Sequence, residues 1–272
     1  MNRLLRALPA ALSLCLAAAT TGAHAGTTLQ RVEQSHTLRV IVVDNDPPFG
    51  FIDDSNRLTG FDVDVAKALA QRLGAKLVLD SPSWENIVGG HWNGRWDVCV
   101  CSMTPNAERA KALDFAAPYY SSPAVLVVNR ADTHIRSAAD LTGRKVGVGF
   151  GSSYESYLQK TLSIPGEKPI AFPFGAVQIV PDDESVAFQN LALGPGVRLD
   201  AVITDEATAN LRIKRTPVFR IVSRLYVEPN WIAADKGDPE WNARLAAAIQ
   251  ALRADGTLSR LSLQWMQEDT TR

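Results

Sequence analysis

Four short segments combine residue types and spacing that could bind a charged small molecule. Cys101-Ser102-Met103-Thr104-Pro105-Asn106-Ala107-Glu108-Arg109 runs from a strand end through two hydroxyls into a helix start. A guanidinium beside free backbone N–H groups makes a bidentate carboxylate site; taken alone, Arg109 is ordinary material for a surface ion pair. Leu199-Asp-Ala-Val-Ile-Thr-Asp-Glu206 places Asp205 where a strand stops, well positioned to hold a cation. Asp44-Asn-Asp-Pro-Pro-Phe-Gly-Phe51 is a proline-stiffened loop whose Asp44 and Asp46 either face a cleft or make Asx-type turn hydrogen bonds. Gly147-Val-Gly-Phe-Gly-Ser-Ser153 enters another helix; its spacing is not G-x-G-x-x-G, so backbone approach to a small anion is the better reading than a dinucleotide. Trp84 is either an aromatic wall or core.

The elements that would position these groups alternate. Leu38–Val43 is a buried-strand run. Gly60-Phe-Asp-Val-Asp64 opens a helix with Val65, Ala66, Leu69, Ala70 and Leu73 on one face and Gly74 at its end, Asp62 and Asp64 suiting the helix dipole. Strands at Lys76–Leu79 and Trp96–Cys101 flank a short helix at Trp84–Trp92. This βαβαβ unit implies a parallel sheet with right-handed crossovers. The rhythm restarts after residue 121, with strands at Ala124–Val128, Lys145–Val148 and Ala201–Thr204, and helices after Ser152 and over Glu206–Lys214. Two such halves without a linker predict an α/β protein of two lobes around a cleft, and ligands of such sheets sit at strand carboxyl ends. The tail is helical: Asp238 caps, Pro239 follows, and Trp241, Leu245, Ile249 and Leu252 share a face. Ala254-Asp-Gly256 ends that helix, and a last one carries Leu258, Leu261 and Trp265.

Residues 1–25 are expected to be a cleaved secretion signal: Arg3 and Arg6, an apolar Leu8–Ala19 stretch, then Ala23-His-Ala25. The apolar stretch is shorter than the roughly 20 residues of a membrane span. Cys15 lies inside it, behind Leu14, which argues against lipidation. The chain has 28 basic residues and 29 acidic ones; without Arg3 and Arg6 the basic count is 26. A slightly acidic balance argues against nucleic acid or anionic lipid as a partner. Cys99 and Cys101 stand two apart on a strand, with an expected Cα separation of about 6.5–7 Å at the limit of disulfide geometry, so two buried thiols are predicted. Scattered histidines and the absence of C-x-x-C or H-E-x-x-H argue against a metal, and no cofactor is expected.

From Leu38 to about Trp265 the chain resembles the polar-amino-acid solute-binding proteins of ABC transporters (bacterial extracellular solute-binding proteins, family 3). The ordered motifs are P-P-F-G-F, G-F-D-V-D-V-A, the Trp84 helix, W-D-V-C-V-C-S-M-T-P-N-A-E-R, Leu113-Asp-Phe with Pro118-Tyr119, Leu141-Thr-Gly-Arg-Lys-Val-Gly-Val148 and A-D-G-T-L. The resemblance implies a type II periplasmic-binding-protein fold: lobe 1 from residues 26–121 and 229–272, lobe 2 from 122–228, crossed near 121–123 and 223–229. It implies that Arg109 clamps a ligand α-carboxylate with Thr104 and Ser153, that Asp205 holds the α-ammonium with help from Ser102, and that Trp84 stacks on the side chain. A zwitterion bridging Arg109 and Asp205 would then close a monomer around itself for delivery to inner-membrane permease subunits. Two departures bear on specificity. Asp46 stands where the family usually has an aromatic residue, favouring a basic ligand such as lysine, arginine or ornithine. Cys101 stands where a hydroxyl is common.

The same fold includes periplasmic cyclohexadienyl dehydratases, which place an acid one helical turn beyond the strand-end Asp. That position is Thr208 here, and Glu206 is turned about 200° around a helix from the required direction. No Ser/His/Asp or Cys/His set can be assembled either. A sensor ectodomain uses the same lobes, but no span or signalling domain accompanies them, so transport is the expectation.

Overall fold

The computed structural model describes residues 28–271; the expected secretion signal lies outside the described residues. Helix α1 (Thr28–Ser35) leads into β1 (Thr37–Ile41) and a small antiparallel sheet of β2 (Asn45–Asp46), β3 (Gly50–Ile52) and β4 (Leu58–Thr59). Then follow α2 (Phe61–Arg72), β5 (Lys76–Asp80), α3 (Trp84–Val88), β6 (Val98–Met103), α4 (Arg109–Ala112) and the long β7 (Leu113–Asn129). A 3-10 turn at Ala138–Leu141 precedes β8 (Lys145–Gly149), α5 (Ser153–Leu158), β9 (Gln178–Asp182), α6 (Glu184–Ala192), β10 (Ala201–Asp205) and α7 (Glu206–Arg215). A second long strand, β11 (Phe219–Asp235), leads to α8 (Pro239–Ala254) and α9 (Thr257–Met266).

The large sheet runs β5-β1-β6-β11-β7-β10-β8-β9. At one end β1 pairs in parallel with β5 and β6, and at the other β8 pairs in parallel with β9 and β10, as βα alternation requires. Strands β7 and β11 pair antiparallel to each other between these ends, so each half is a mixed sheet rather than the purely parallel one expected. Four buried clusters cover the faces of the two halves. Val40, Val42, Val98 and Val100 pack with α2, α8 and α9 on one face of the first, while Ile41, Cys99 and Cys101 pack with Ile87, Trp92 and Trp96 on the other. In the second half Leu126 and Val128 face Tyr157 and Phe174, and Val125 and Val127 face Phe188 and Leu191. This period-two alternation puts helices on both sheet faces and gives two lobes. Strands β7 and β11 run through both lobes.

The expected helix starts and stops hold in α8, where the Asp238 side chain accepts from Trp241 N at 3.0 Å. Gly60 (φ 130°) lets the chain turn into α2: a Cβ there would lie 2.1 Å from the Phe49 carbonyl oxygen. Asp62 stands in the first turn of α2 as expected, but it does more than suit the helix dipole. It is 1% exposed and accepts hydrogen bonds from Ser102 Oγ (2.8 Å) and Tyr119 Oη (2.7 Å).

The cysteines also differ from expectation. Cys99 and Cys101 form a disulfide rather than two thiols, with Cα atoms 5.5 Å apart. The ladder explains it: Met103 and Cys99 of β6 stand opposite Trp231 and Ala233 of β11, four residues against two. The bulge shortens the usual two-residue span of about 6.6 Å and brings the side chains within bridging range.

Candidate functional site

Between the lobes lies a cavity of about 220 Å³ lined by the strand ends and helix starts of both. Lobe 1 contributes Asp46 from β2, Phe49, Trp84 at the start of α3, Cys101 and Ser102 from β6, and Arg109 at the start of α4. Lobe 2 contributes Gly149, Ser153, Asp182, Asp183, Glu184 and Asp205. The long strands add Tyr120, Glu228 and Asn230. Six carboxylates and one guanidinium line the space.

Arg109 is 6% exposed and fully directed. Its Nη1 donates to the Thr104 carbonyl at 2.7 Å, its Nη2 donates to the Gly151 carbonyl at 3.1 Å, and its guanidinium carbon lies 5.1 Å from the Trp84 ring centroid. Burial pulls its pKa down to about 10, against the opposing charge of Glu228. It therefore stays cationic at neutral pH, with three of its five N–H donors uncommitted. Trp84 stacks on Arg109 and donates from Nε1 to Gly151 O at 3.3 Å, so it braces the guanidinium as well as walling the cavity.

Asp205 ends β10 and caps α7, accepting from Ala207 N at 2.7 Å. Burial raises its carboxyl to about 7, opposed by hydrogen bonds from Ser122 and the Ala207 amide and reinforced by Glu228 and Glu184. Asp46 reaches the cavity, whereas Asp44 is exposed and does not line it. Burial pushes the Asp46 carboxyl well above its usual range, and Glu184 and Asp205 across the cleft add to the rise.

The remaining expected contacts divide. Ser153 lines the cavity at 6% exposure, and Cys101 lines it as half of the disulfide. Thr104 is buried behind Arg109 and does not line the cavity; its hydroxyl faces Asn230 Oδ1 at 3.5 Å. Ser102 lines the cavity, but its hydroxyl is committed to Asp62. Four lining carboxylates, Asp182, Asp183, Glu184 and Glu228, were not anticipated. Glu184, the first residue of α6, accepts from Thr204 Oγ1 at 2.7 Å. Glu228 lies on β11, 3% exposed, and burial raises its pKa. Nothing in their spacing marks either one, because the elements that carry them show no clean period.

The lobes touch across the cavity. Asn45 Nδ2 donates to Asp183 Oδ2 at 2.7 Å, and Thr208 Oγ1 donates to the Pro47 carbonyl at 3.1 Å. Arg109 and Trp84 both reach Gly151. Glu206 turns away from the cavity and pairs with Arg224 at 2.8 Å, so the first turn of α7 offers no acid to the cavity beyond Asp205.

A charged cleft between two lobes threaded by paired long strands defines a bilobal solute-binding protein. The chain belongs to the bacterial extracellular solute-binding proteins, family 3, which it matches over residues 38–268. It is 31% identical over 247 residues to the L-cystine-binding protein TcyJ of Escherichia coli (strain K12), covering 90% of this chain and 88% of that one. Among solved structures it resembles an ancestral arginine-binding protein bound to glutamine, with TM-score 0.73 and 35% identity over 86% of this chain and 99% of that one. It also resembles the ancestral amino acid-binding protein AncCDT-1, a precursor of cyclohexadienyl dehydratase (TM-score 0.76, 30% identity, 88% of this chain and 100% of that one). The chain is a binding protein, not an enzyme, and its role is amino-acid binding.

Proposed function

We propose that the protein captures a free basic or polar amino acid in the periplasm and delivers it, as a monomer, to the permease subunits of an ABC transporter. One observation carries this reading: Arg109 and Asp205, from opposite lobes, line one cavity whose other lining charges are all acidic. The α-carboxylate is assigned to Arg109 with Ser153, and the α-ammonium to Asp205. The side chain extends along Trp84 toward Asp46, whose carboxylate suits a cationic end. Opposite charges on opposite lobes let a zwitterion bind the closed form better than the open one, which is the requirement for ligand-driven closure. The proposed crossings lie between Ser121 and Ser122 and between Glu228 and Pro229, where β7 and β11 pair.

A thermal-shift screen on unfolded and refolded protein tests this, with the twenty amino acids, ornithine, citrulline, polyamines, prephenate and arogenate. A ligand at a hundred times Kd stabilises by about 2.7 kcal/mol and raises the midpoint by several degrees. A response confined to basic or polar amino acids is expected; silence across all amino acids would refute the assignment.

A further inference from the structure

Glu228 is a buried carboxylate that the Arg109–Asp205 clamp leaves unexplained. It is 3% exposed, it lines the cavity, and its Oε1 has no hydrogen-bond partner. Its place in the fold is specific. On the β7–β11 ladder Glu228 stands directly opposite Ser122, and Ser122 is the hydroxyl that hydrogen-bonds Asp205. Two carboxylates, one from lobe 2 and one from the strand crossing, thus converge around a single serine. The hydroxyls of Ser153, Tyr154 and Thr104 also hydrogen-bond the Glu228 carboxylate, and the Arg109 charge favours its ionised form.

We propose that Glu228 is a second acceptor for the ligand's α-ammonium group, acting with Asp205, so that the cleft selects primary amines. This rests on the reading that Asp205 receives the ammonium. An ammonium carries three N–H donors and needs several acceptors once buried. Asp205 already accepts from Ala207 N and Ser122, so part of its acceptor capacity is taken before a ligand arrives. The Oε1 of Glu228, without a partner among the described residues, supplies a further acceptor that a bound ammonium would satisfy.

The test is isothermal titration of L-arginine and L-glutamine, each beside its analogue with hydrogen in place of the α-amine, weak binders being followed by competition. Wild-type protein is compared with Glu228→Gln, and with Glu228→Asp should the first variant unfold at a lower temperature. A hydrogen bond to a charged group corresponds to a loss of roughly tenfold to a hundredfold in affinity. That loss is expected for the amino acid whose binding is measured, with less than about a threefold change for its desamino analogue. Equal losses for both would show that Glu228 positions Arg109 instead, and unchanged affinity for the amino acid would show no role; either overturns the proposal while leaving the amino-acid reading intact. Wild-type protein that binds none of the twenty amino acids would overturn that reading, and this proposal with it.

Discussion

Replacing Asp205 by Asn should make the empty protein more stable while abolishing tight ligand binding. In the folded chain the Asp205 carboxyl titrates at about 7, chiefly because it is buried, against an ordinary value of 3.8. Between those values the folded protein holds a proton that the unfolded chain has released, so stability falls as pH rises. The loss is complete above about pH 7 and amounts to at most about 4 kcal/mol at 1.36 kcal/mol per tenfold change in acidity. Glu228 and Glu184 share the same field and will ionise more readily once Asp205 is neutral, so about 2–4 kcal/mol is the expected gain. Asn keeps the helix cap, because its side-chain oxygen can still accept from Ala207 N. Urea unfolding followed by circular dichroism at pH 4.5 and pH 8 reads the effect as a midpoint shift of about 1 M at pH 8 that nearly vanishes at pH 4.5, with m unchanged. A variant less stable than wild type at pH 8, or an advantage independent of pH, would refute the reasoning. Loss of ligand binding in the same variant would place Asp205 among residues that trade stability for function.

Arg109→Ala should cost about 3–5 kcal/mol of binding by leaving a buried carboxylate unpaired, which titration calorimetry would read as loss of a micromolar ligand from the detectable range. Thr208→Val removes the interlobe bond to Pro47 O, so affinity should fall about fivefold, the equivalent of about 1 kcal/mol, with little change in the melting point of the empty protein. Cys99 and Cys101 should take up an alkylating reagent only after both unfolding and reduction; adducts in unfolded, unreduced protein, read by peptide mass, would contradict the disulfide. Ligand affinity should weaken as pH falls below about 7, because a cation can bind only after Asp205 has lost its proton; an affinity flat from pH 8 to pH 5 would count against the ammonium assignment.

How far the sequence betrays the cleft depends on whether chemistry is tied to a recognisable element end. Arg109 and Asp205 were legible because each follows a short, uninterrupted apolar strand, and Asp238 because cap and proline stand together. The long strands were not. Pro118 and Pro123 lie within β7 and Pro229 within β11, where they read as breaks, although register shifts between the two strands accommodate them. Glu228 was hidden for that reason. Glu184 was hidden because β9 contains Pro181 and follows an irregular stretch from residue 159 to 177. The disulfide depends on a bulge opposite β11, a tertiary feature with no trace in the Cys-Val-Cys spacing. Asp62 stood correctly at a helix start, but the Tyr119 and Ser102 hydroxyls draw it inward.

The distribution of acids between the lobes bears on how closure is made conditional. Asp46 belongs to lobe 1 and Glu184 and Asp205 to lobe 2, yet each of the latter raises the Asp46 carboxyl across the closed cleft. Opening the lobes separates these like charges and returns them to water, so an ionised empty cleft resists closing. Arg212 offsets only part of this repulsion at Asp46, and the charge of Arg109 acts chiefly with Glu228. The direct interlobe bonds, Asn45–Asp183, Thr208–Pro47 and those of Arg109 and Trp84 to Gly151 O, contribute about 1 kcal/mol each and are partly offset by the repulsion. An ammonium placed at Asp205, and a second cation near Asp46, would remove the penalty where it arises. The proposed ligand then binds the closed form preferentially because that form concentrates negative charge around it, and a neutral solute of the same size would gain no such advantage.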